Sequence, residues 1–487
     1  MSEKHQTNKR KEQLITTLIK TSVFLPIGRT VILDYLERIT FKSIVENARR
    51  RLKEVQKKKF YFIKALLRCA FKNLERGYIS KEVGKKIIDT LVRAHWTEGK
   101  YEISAREKFK NKYGFGPPSF LVLSPTQRCN LRCPGCYAAA KRNAPSLSFS
   151  IVERIVKEAH DILGNRFMVI SGGEPFMYES EGKTLFDIWE KYNDMFFLVY
   201  TNGTLINKEI ASKLAKLGNV TPAISMEGFE EDTDKRRGKG IFKKILEVAS
   251  NLREAGVPFG ASLTATRENI NTLLKDEFYE FLFEKLGVTY IWLFQLMPIG
   301  RARIVKELML TPEQRVALFK KWVYLLEKKS YCIADFWNSG VLSDGCIAYG
   351  RTGGYFYIDW NGNIMPCVFI PYYEDNVFQL YKEGKTIADA LFSEFFKRGR
   401  KWQDEYGFAH QSNPNNWLMP CSIRDHYVNF KKNILTKKAK PEDRDASIAI
   451  KSKNFEKFLD AFDKKLAELT DSIWKREYLA KGLTSKN

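Results

Sequence analysis

Three cysteines stand close together in the segment CNLRCPGCY, residues 129–137. They are Cys129, Cys133 and Cys136, and the aromatic Tyr137 follows at once. Thiolates spaced this closely on a loop bind a metal ion or an iron–sulfur cluster. A structural zinc site takes four ligands, and a catalytic zinc site usually includes His or a carboxylate, whereas this loop offers three cysteines and no nearby His. A cluster held by three cysteines leaves one iron free for an exchangeable ligand, as a reaction centre requires.

Apolar, strand-like runs alternate with helical patterns on both sides of this loop. The runs are SFLVLS (119–124), FMVIS (167–171), FFLVYT (196–201), TPAISM (221–226), PFGASLTA (258–265) and TYIWLFQLMP (289–298). Such alternation predicts parallel strands joined by right-handed crossovers. Six units are too few for a closed eight-stranded barrel, so we expect a partial barrel or an open sheet with its chemistry at the carboxyl ends of the strands. The cysteine segment, SGGEP, TNG and SMEG all fall at such ends.

The cysteine spacing C-x3-C-x2-C, ending in an aromatic residue after the first strand, resembles the radical S-adenosylmethionine (radical SAM) superfamily. The resemblance covers residues 119–300 and implies an α/β fold, a partial (β/α)6 TIM-like barrel. It implies that the three cysteines ligate a [4Fe–4S] cluster whose open iron chelates SAM. Reductive cleavage of SAM would then give a 5′-deoxyadenosyl radical that takes hydrogen from an unactivated carbon. A reductant such as flavodoxin or ferredoxin is the partner that this chemistry implies.

Further segments match the same resemblance. SGGEP occupies the place where the family holds the SAM amino group; Gly172 and Gly173 permit a close backbone approach, and Glu174 is an acceptor for an ammonium. In SMEG, Ser225 and Glu227 are expected at the ribose hydroxyls, with Glu where Asp is frequent. The residues predicted to bind SAM are Tyr137, Gly172, Gly173, Glu174, Asn202, Ser225, Glu227 and Arg237.

Several of these polar residues have a simpler alternative role. Asn202 in TNG could be a turn residue, and Arg237 in RRG could be a surface charge. Thr264 and Gln295, on the fifth and sixth strands, are predicted to point toward the same pocket. Arg301 or Arg303 in GRAR would bind an anionic substrate group, unless they too are surface charge.

A second group of thiols is predicted from Cys346, Cys367 and Cys421. The spacing C-x15-G-x4-C is similar to the opening of SPASM and twitch extensions, and a hairpin of YFYID and IMPCV that turns on Asn361-Gly362 would return the second thiol beside the first. The dense CxxC-x5-C-x3-C part of SPASM is missing, so we expect one auxiliary iron–sulfur cluster with three cysteines. The alternative is buried thiols without a metal. The candidates for a fourth ligand are Cys332, His426, Asp425 and the substrate.

Composition limits the class of protein. The chain has 487 residues, 44% of them hydrophobic and 13% aromatic, which excludes a disordered protein. The start, MSEKHQTNKRKEQ, is charged and lacks the apolar segment of a signal peptide. No apolar run approaches the ~18 residues of a spanning helix. We therefore expect a cytoplasmic protein whose eight cysteines are not disulfides.

Positive charge is concentrated near the N-terminus. The formal net charge is +24, and residues 1–100 hold 24 Lys and Arg against 10 Asp and Glu. Such a field attracts nucleic acid or anionic lipid headgroups. Basic helical segments that carry Phe, Tyr and Leu favour a peripheral position on a membrane surface, although a helical extension packed on the following domain is an equal alternative. No RNA-binding motif is present, so nucleic acid is not the expected partner.

Four regions are predicted from these patterns. They are a basic helical N-terminal region (1–117), a radical SAM core (118–305), a SPASM/twitch-like auxiliary-cluster domain (306–430) and a helical C-terminal tail (431–487). The predicted function is a radical SAM enzyme that functionalises an unactivated C–H bond, with a membrane lipid chain as the preferred substrate. The alternatives are a SPASM-type peptide-modifying maturase, a haem or cofactor maturation enzyme, and a nucleic-acid-binding protein with a structural cluster.

Overall fold

The structure is a computed structural model that describes residues 24, 26–92 and 99–484. Residues 1–23, 25 and 93–98 of the predicted basic N-terminal region lie outside the described residues. The strands are β1 (Phe120–Leu123), β2 (Phe167–Ile170), β3 (Glu179–Ser180), β4 (Lys183–Thr184), β5 (Phe196–Thr201), β6 (Val220–Met226), β7 (Gly260–Ala265), β8 (Tyr290–Gln295), β9 (Ile333–Asp335), β10 (Tyr355–Ile358), β11 (Asn363–Met365), β12 (Tyr372–Tyr373), β13 (Asp375–Asn376) and β14 (Lys440–Pro441).

The α-helices follow the strands along the chain and also form the predicted helical N-terminal region. They are α1 (Pro26–Phe41), α2 (Lys53–Glu75), α3 (Lys81–Val92), α4 (Gly99–Tyr113), α5 (Phe149–Asp161), α6 (Leu185–Lys191), α7 (Lys208–Leu217), α8 (Glu230–Arg237), α9 (Ile241–Glu254), α10 (Ile270–Leu273), α11 (Asp276–Glu280), α12 (Pro312–Glu327), α13 (Val377–Lys382), α14 (Glu394–Gln403), α15 (Tyr427–Asn429), α16 (Arg444–Lys451) and α17 (Lys453–Ile473). None of the helices in the described ranges is long and apolar enough to cross a bilayer.

A ten-stranded sheet organises the core, in the order β13-β11-β10-β1-β2-β5-β6-β7-β8-β9. The strands from β10 to β9 in this order are parallel, and β11 and β13 run antiparallel at one edge. The six predicted strands are β1, β2 and β5 to β8, and the α/β partial barrel is confirmed. Two further parallel strands, β9 and β10, come from the predicted auxiliary-cluster domain and extend the core sheet. The proposed domain boundaries stay predictions.

Aromatic side chains fill the space between β9 and β10, the first and last strands of the parallel part of the sheet. Among the described strands, β9 and β10 are not hydrogen-bonded to each other. The Phe336 ring lies 6.5 Å from that of Tyr355 and 5.3 Å from that of Phe369, and Trp337 lies 4.7 Å from Phe369. Ring packing of this kind replaces the backbone ladder that would close a full barrel.

Local sequence signals fix the helices that cover the sheet. The Ser148 hydroxyl caps α5 by accepting from the backbone N–H of Ile151. Thr311 and Gln314 form a capping box at the start of α12. The end of α7 is set by Gly218, whose φ of 69° is the left-handed conformation that glycine adopts readily. These caps satisfy backbone groups that the helix itself leaves unpaired.

The basic helix α2 packs against the barrel and the segments that follow it in the chain. Its lysines and arginine form ion pairs with acidic residues far along the chain: Lys58–Glu327, Lys59–Asp344, Lys72–Glu284 and Arg76–Glu284. The chain also returns to the start of α2, because the backbone N–H of Thr484 donates to the Arg51 carbonyl at 2.8 Å. Of the two alternatives predicted for the basic N-terminal region, α2 therefore supports the packed extension.

Candidate functional site

A cavity of about 270 Å³ lies inside the partial barrel, and the cysteine loop forms part of its wall. Cys129, Cys133 and Cys136 all line it, so the structure brings the first three thiols to one space. The other predicted residues on this wall are Tyr137, Gly172, Gly173, Asn202, Ser225, Arg237, Thr264, Gln295 and Arg301. Glu174 and Glu227 are fully buried and do not line the cavity.

Arg301 holds the cysteine loop in place. Its Nε donates to the Cys133 carbonyl at 3.2 Å and its Nη1 donates to the Ala140 carbonyl at 2.7 Å. Its backbone N–H donates to the Cys136 carbonyl at 3.1 Å. Arg301 was predicted to contact an anion or to be a surface charge. In the structure its side chain instead links the segment after β8 to the cysteine loop.

Asn202 connects the end of β5 to the same loop. Its Nδ2 donates to Asn130 Oδ1 at 2.8 Å and lies 3.7 Å from Cys129 Sγ. The backbone N–H of Leu131 also donates to Cys129 Sγ, at 3.4 Å. Donors of this kind stabilise negative charge on sulfur. They would therefore stabilise Cys129 as a thiolate ligand of a cluster.

The SGGEP turn packs directly against the segment that precedes the first cysteine. The backbone N–H of Gly173 donates to the Thr126 carbonyl at 2.8 Å, and that of Glu174 donates to the Arg128 carbonyl at 2.7 Å. A Cβ at Gly173 would stand 2.1 Å from the Arg128 carbonyl oxygen, and one at Gly172 would stand 2.5 Å from that of Thr126. The glycines therefore do permit a close approach, and the group approached is the protein's own backbone.

Tyr137 joins the cysteine loop to the SGGEP turn through its side chain. Its hydroxyl forms a hydrogen bond of 2.5 Å with Ser171 Oγ and accepts the backbone N–H of Gly172 at 2.9 Å. Burial raises the pKa of this hydroxyl to about 12. The tyrosine is thus neutral and serves as a fixed wall of the cavity.

Glu174 has a structural position. Its Oε1 accepts from Thr201 Oγ1 at 2.7 Å, and its Oε2 accepts from the backbone N–H of Asn202 at 2.8 Å. Burial raises the pKa of this carboxyl to about 7. The structure therefore uses Glu174 to join the SGGEP turn to the end of β5 and does not expose it to a ligand in the cavity.

Glu227 is likewise turned away from the cavity. Its Oε1 accepts from Arg236 Nη1 at 2.6 Å and from Arg237 Nε at 2.9 Å, and its Oε2 accepts from the backbone N–H of Thr264 at 3.3 Å. The two guanidinium groups are mostly shielded from solvent, and Glu227 supplies their counter-charge. Glu227 does not line the cavity, whereas Ser225, the other residue predicted for the ribose hydroxyls, does. The ribose role of both residues stays a prediction.

The charges and donors around the first three thiols fit an anionic cluster. Arg236, Arg237 and Arg301 line the cavity together with the thiols, and Arg236 also donates to the Pro134 carbonyl of the loop at 3.2 Å. Within the described residues no three Cys, His, Asp or Glu side chains are arranged around one point as for a single metal ion. In an iron–sulfur cluster each thiolate binds a different iron, so the ligands stand further apart.

The interior of the barrel is hollow and apolar. On β8 the inward Trp292 and Phe294 are partly exposed, while the outward Ile291 and Leu293 are buried. In a filled barrel the inward residues form the packed centre. Other apolar residues of the cavity wall include Phe120, Val122, Phe167, Tyr200, Phe336 and Tyr355. Among the described residues, no Asp or Glu lines this cavity.

The second group of predicted thiols also comes together. Burial raises the pKa of the Cys421 thiol, and the neighbouring Cys346 and Cys367 raise it further. Tyr355 Oη forms a hydrogen bond of 2.8 Å with Cys367 Sγ, which also accepts the backbone N–H of Phe369 at 3.4 Å. The hairpin of β10 and β11 is antiparallel, as predicted. We call Cys346, Cys367 and Cys421 the second cysteine trio.

This second cysteine trio lies directly behind the cavity wall. Ile347 and Val368, which follow Cys346 and Cys367 in the chain, both line the cavity. Tyr355 lines it as well and contacts Cys367 from the same side. The cavity therefore lies between the two sets of thiols.

The three protein candidates for a fourth ligand of the second trio have other partners. Asp425 accepts from Arg315 Nη2 at 3.1 Å. His426 Nε2 lies 2.9 Å from the Met419 carbonyl oxygen. Cys332 is buried near Cys69. Asp425 Oδ2 also accepts the backbone N–H of Cys421 at 3.0 Å, so this carboxylate lies beside the trio with its oxygens already hydrogen-bonded.

Some residues of the site were missed from the sequence. Arg236 directly precedes the predicted Arg237. Two adjacent arginines after an acidic turn were a signal that one carboxylate, Glu227, could form an ion pair with both. Tyr355 and Trp292 occupy inward positions of strands, and the alternation along β8 and β10 could have identified them. Pairing of β10 with β1 was needed to place Tyr355 in the barrel.

Comparison with protein families supports this site. The family model of the Radical SAM superfamily matches residues 123–279. The resemblance to this superfamily that the sequence predicted is confirmed over these residues. The matched segment begins at the last residue of β1 and contains the first three cysteines, SGGEP and SMEG. Radical SAM enzymes use a [4Fe–4S] cluster and SAM, so the predicted cofactors are confirmed at the level of the superfamily. The residues that bind them stay predictions.

Similar proteins are radical SAM enzymes of different activity. The chain is 31% identical to Fe-coproporphyrin III synthase of Methanosarcina barkeri over 201 residues, 41% of this chain and about half, 49%, of that protein. It is 26% identical to AdoMet-dependent heme synthase of the same organism, over 53% of this chain and 79% of that one. Mycofactocin maturase MftC of Mycobacterium ulcerans is 28% identical over 59% of this chain and 76% of its own.

Among solved structures, Streptococcus suis SuiB bound to S-adenosylmethionine is similar to the chain with a TM-score of 0.48 and 18% identity. The similarity covers 61% of this chain and 71% of SuiB. Polyhistidine-tagged anSMEcpe with bound AdoMet has a TM-score of 0.44 and 19% identity, over 57% of this chain and 84% of that one.

Proposed function

We propose that this chain is a radical SAM enzyme that functionalises an unactivated C–H bond of an apolar substrate, with the hydrocarbon chain of a membrane lipid as the preferred class. The observation that carries the proposal is the hollow interior of the barrel. Its wall is mostly aromatic and aliphatic, and no Asp or Glu lines it among the described residues. An apolar cavity of this kind binds a hydrocarbon by removing it from water.

The chemistry would start at the first three thiols. Cys129, Cys133 and Cys136 would hold the [4Fe–4S] cluster. When bound, the cluster and SAM supply reductive cleavage of a SAM carbon–sulfur bond, with one electron from a donor such as flavodoxin or ferredoxin, and removal of a hydrogen atom from carbon. Arg301 and Asn202 fix the loop that carries the ligands, while the aromatic wall keeps water from the reacting carbon.

The second cysteine trio would hold an auxiliary iron–sulfur cluster. Its three thiols are neighbours, and Cys367 accepts hydrogen bonds from the backbone N–H of Phe369 and from Tyr355. Its position behind Ile347 and Val368 places it next to the substrate cavity, on the wall formed by β10. A cluster held there by Cys346, Cys367 and Cys421 would supply a one-electron redox group behind this wall of the cavity.

The extent of the cavity favours an extended chain. Phe120 and Phe167 line it and are the first residues of β1 and β2, whereas the cysteine loop follows the end of β1. The cavity therefore runs along the strands from their carboxyl ends to their starts. A hydrocarbon chain can lie in such a space with one end at the cysteine loop.

A tetrapyrrole is the second candidate, because two relatives are named for porphyrin chemistry. Carboxylates on such a substrate would need free cations. Arg236 and Arg237 are paired with Glu227, and Arg301 donates to loop carbonyls, with its Nη2 left without a partner among the described residues. Arg236 and Arg301 also bind carbonyls of the cysteine loop, so their remaining charge lies where the anionic cluster would use it. A peptide substrate, as in the maturase relative, would need many backbone partners that the aromatic wall does not offer.

Transfer of deuterium from a labelled lipid to 5′-deoxyadenosine tests whether a membrane lipid is the substrate. Vesicles of a phospholipid with perdeuterated acyl chains, incubated with the enzyme, SAM and dithionite, should place deuterium in the 5′-deoxyadenosine that mass spectrometry detects. Ser262→Trp, which fills the cavity from β7, should abolish this transfer, because Ser262 lines the cavity. Glu231→Gln, at an exposed position of α8, should leave it unchanged. A lipid substrate would be contradicted if 5′-deoxyadenosine formed without deuterium and only after Fe-coproporphyrin III or a peptide was added.

We also propose that this chain is cytoplasmic and docks peripherally on an anionic membrane surface through α1. Val31, Tyr35 and Ile39 are 64%, 47% and 43% exposed, and their spacing of four residues places them on one face of the helix. Arg38 and Lys42 are exposed on the same face. An apolar stripe with basic neighbours is the pattern of an interfacial helix.

Membrane docking can be measured by flotation. The chain should float with vesicles that contain phosphatidylserine, and the triple variant Val31→Asp, Tyr35→Asp, Ile39→Asp should reduce the floated fraction about tenfold, because each Asp replaces apolar contact with repulsion from anionic lipid. Val428→Asp, at a residue 42% exposed elsewhere, is the matched control. Equal flotation of both variants would show that α1 is not the membrane contact.

A further inference from the structure

Three exposed cations lie on and beside the cysteine loop. Arg132 directly precedes Cys133, and Lys141 and Arg142 follow soon after the last cysteine of the loop. All three side chains are exposed, and none has an ion pair or a side-chain hydrogen bond with the described residues. We call Arg132, Lys141 and Arg142 the basic loop surface. Free cations of this kind are available to an anionic partner.

The backbone holds the basic loop surface against the cysteines. The backbone N–H of Cys129 donates to the Lys141 carbonyl at 3.1 Å, and Arg128 pairs with Lys141 in an isolated β-bridge. The chain therefore returns beside the first cysteine of the loop. Lys141 lies next to Cys129 through a hydrogen bond, and Arg132 lies next to the second cysteine through a peptide bond.

The positive charge of this surface is not balanced locally. The sequence contains no Asp or Glu between Glu107 and Glu153. More distant acidic residues do not pair with these three cations in the part of the chain that the structure describes. Unpaired charge of one sign attracts partners of the opposite sign and raises their rate of association. The surface therefore favours a partner with an acidic face.

The basic loop surface lies outside the substrate cavity. The three cysteines of the loop line the cavity, whereas the three exposed cations do not, within the described ranges. The arginines that do line it include Arg236 and Arg301, and both donate to carbonyls of the cysteine loop. A partner bound to the exposed cations would therefore contact the loop without entering the cavity.

Apolar side chains adjoin the cations. Pro134 is exposed on the loop itself. Asn130 Nδ2 donates to Thr204 Oγ1 at 2.8 Å, which joins the loop to the segment that carries the exposed Leu205. Apolar contacts with a charged rim are typical of protein–protein interfaces. A surface of this limited size suits the weak, transient complexes that electron-transfer proteins form.

We propose that an acidic one-electron carrier protein docks on the basic loop surface and reduces the cluster held by Cys129, Cys133 and Cys136. The inference rests on that cluster, which belongs to the proposed function. In this step the carrier is oxidised by one electron and the cluster is reduced by one electron. An anionic lipid surface would match the charge as well, but only an electron donor requires a position beside the cluster ligands.

Charge reversal on the basic loop surface tests the inference. In the holoenzyme, Arg132→Glu, Lys141→Glu, Arg142→Glu should weaken the binding of oxidised flavodoxin, measured by isothermal titration calorimetry, by about tenfold or more. Stopped-flow absorbance should show a similar loss in the rate at which flavodoxin hydroquinone reduces the cluster. Reduced methyl viologen, a small cation that needs no docking surface, should reduce the variant no more slowly than the wild type. High salt should weaken flavodoxin binding to the wild type.

The matched control reverses three exposed lysines at the other end of the sheet. Lys216, Lys285 and Lys328 precede β6, β8 and β9, whereas the cysteine loop follows the end of β1. Because these strands are parallel, the control changes the net charge equally but far from the loop. Lys216→Glu, Lys285→Glu, Lys328→Glu should leave flavodoxin binding and cluster reduction unchanged.

Several results would overturn the inference. An equal loss in both triple variants would show an effect of net charge alone. Unchanged flavodoxin binding in the loop variant, with flotation on phosphatidylserine vesicles lost, would assign the surface to lipid. A wild type that neither binds flavodoxin nor is reduced by it, yet forms 5′-deoxyadenosine with dithionite, would contradict the docking surface alone. A wild type without iron or without 5′-deoxyadenosine would mean that the proposed function itself had failed.

A neutral variant covers loss of the cluster through charge reversal. If the Glu variant does not retain its iron, Arg132→Gln, Lys141→Gln, Arg142→Gln removes the cations without adding repulsion. With its iron intact, this variant should bind flavodoxin about threefold or more weakly than the wild type. An unchanged affinity would contradict the proposal.

Discussion

Replacing Cys129, Cys133 and Cys136 together by Ala should lower the iron content of the anaerobically prepared chain from about eight to about four atoms and abolish 5′-deoxyadenosine formation. The three thiols share one cavity wall with the residues that hold their loop, so their loss removes every protein ligand of the proposed SAM-binding cluster. The second cysteine trio lies behind the part of the wall formed by Ile347, Val368 and Tyr355, and it keeps its own ligands. Iron and sulfide analysis, with product assay after dithionite and SAM, measures both effects.

Cys69→Ala is the matched control for this experiment. Cys69 is a buried thiol on α2 whose Sγ faces the Ser330 carbonyl at 3.6 Å, away from both sets of ligands. It should retain about eight irons and full product formation. A wild-type chain with about four irons that falls to none in the triple variant would remove the auxiliary cluster. Absence of iron from the wild type would contradict both sites.

Glu227→Gln should destabilise the fold by about 3–5 kcal/mol and abolish product formation. The side chain is 1% exposed and is the counter-charge of two guanidinium groups, so its neutralisation leaves buried charge uncompensated. Arg236 also binds the Pro134 carbonyl, and its displacement would loosen the cysteine loop. Urea unfolding measures the free energy, and iron content measures whether the loop still holds its ligands.

The control for Glu227→Gln removes the same charge at the surface. Glu231 is exposed on the first turn of α8, four residues further along the chain. Glu231→Gln should change the unfolding free energy by less than about 0.5 kcal/mol. If Glu227→Gln were equally mild and kept its iron, Glu227 would not be the counter-charge that holds the loop.

Much of the core was predictable from the sequence because its signals are local. Each of the six strand-like runs became a strand, and the glycines at 172 and 173 marked a close approach. The spacing of Cys129, Cys133 and Cys136 placed three thiols on one loop. Thr264 and Gln295 were predicted to point into the pocket, and both line it.

The rest depended on contacts between distant residues. Nothing in the local pattern of YFYID indicates that β10 pairs with β1, more than two hundred residues earlier. The partners of Glu227 depend on how α8 folds back after β6, so a carboxylate predicted for a ribose became the counter-charge of Arg236 and Arg237. The basic pattern of α2 was equally consistent with lipid, and only Glu327, Asp344 and Glu284 decide its partner.

The ion pairs of α2 also bear on the order of folding during synthesis. Lys58 and Lys59 leave the ribosome well before Glu327 and Asp344 exist, and Arg51 is made long before Thr484 returns to it. Domains generally fold as their residues emerge, but contacts of such long range must wait for their partners. Until residues 284, 327 and 344 have been made, the basic segment of α2 lacks its acidic partners, so we expect its ion pairs to form late in folding.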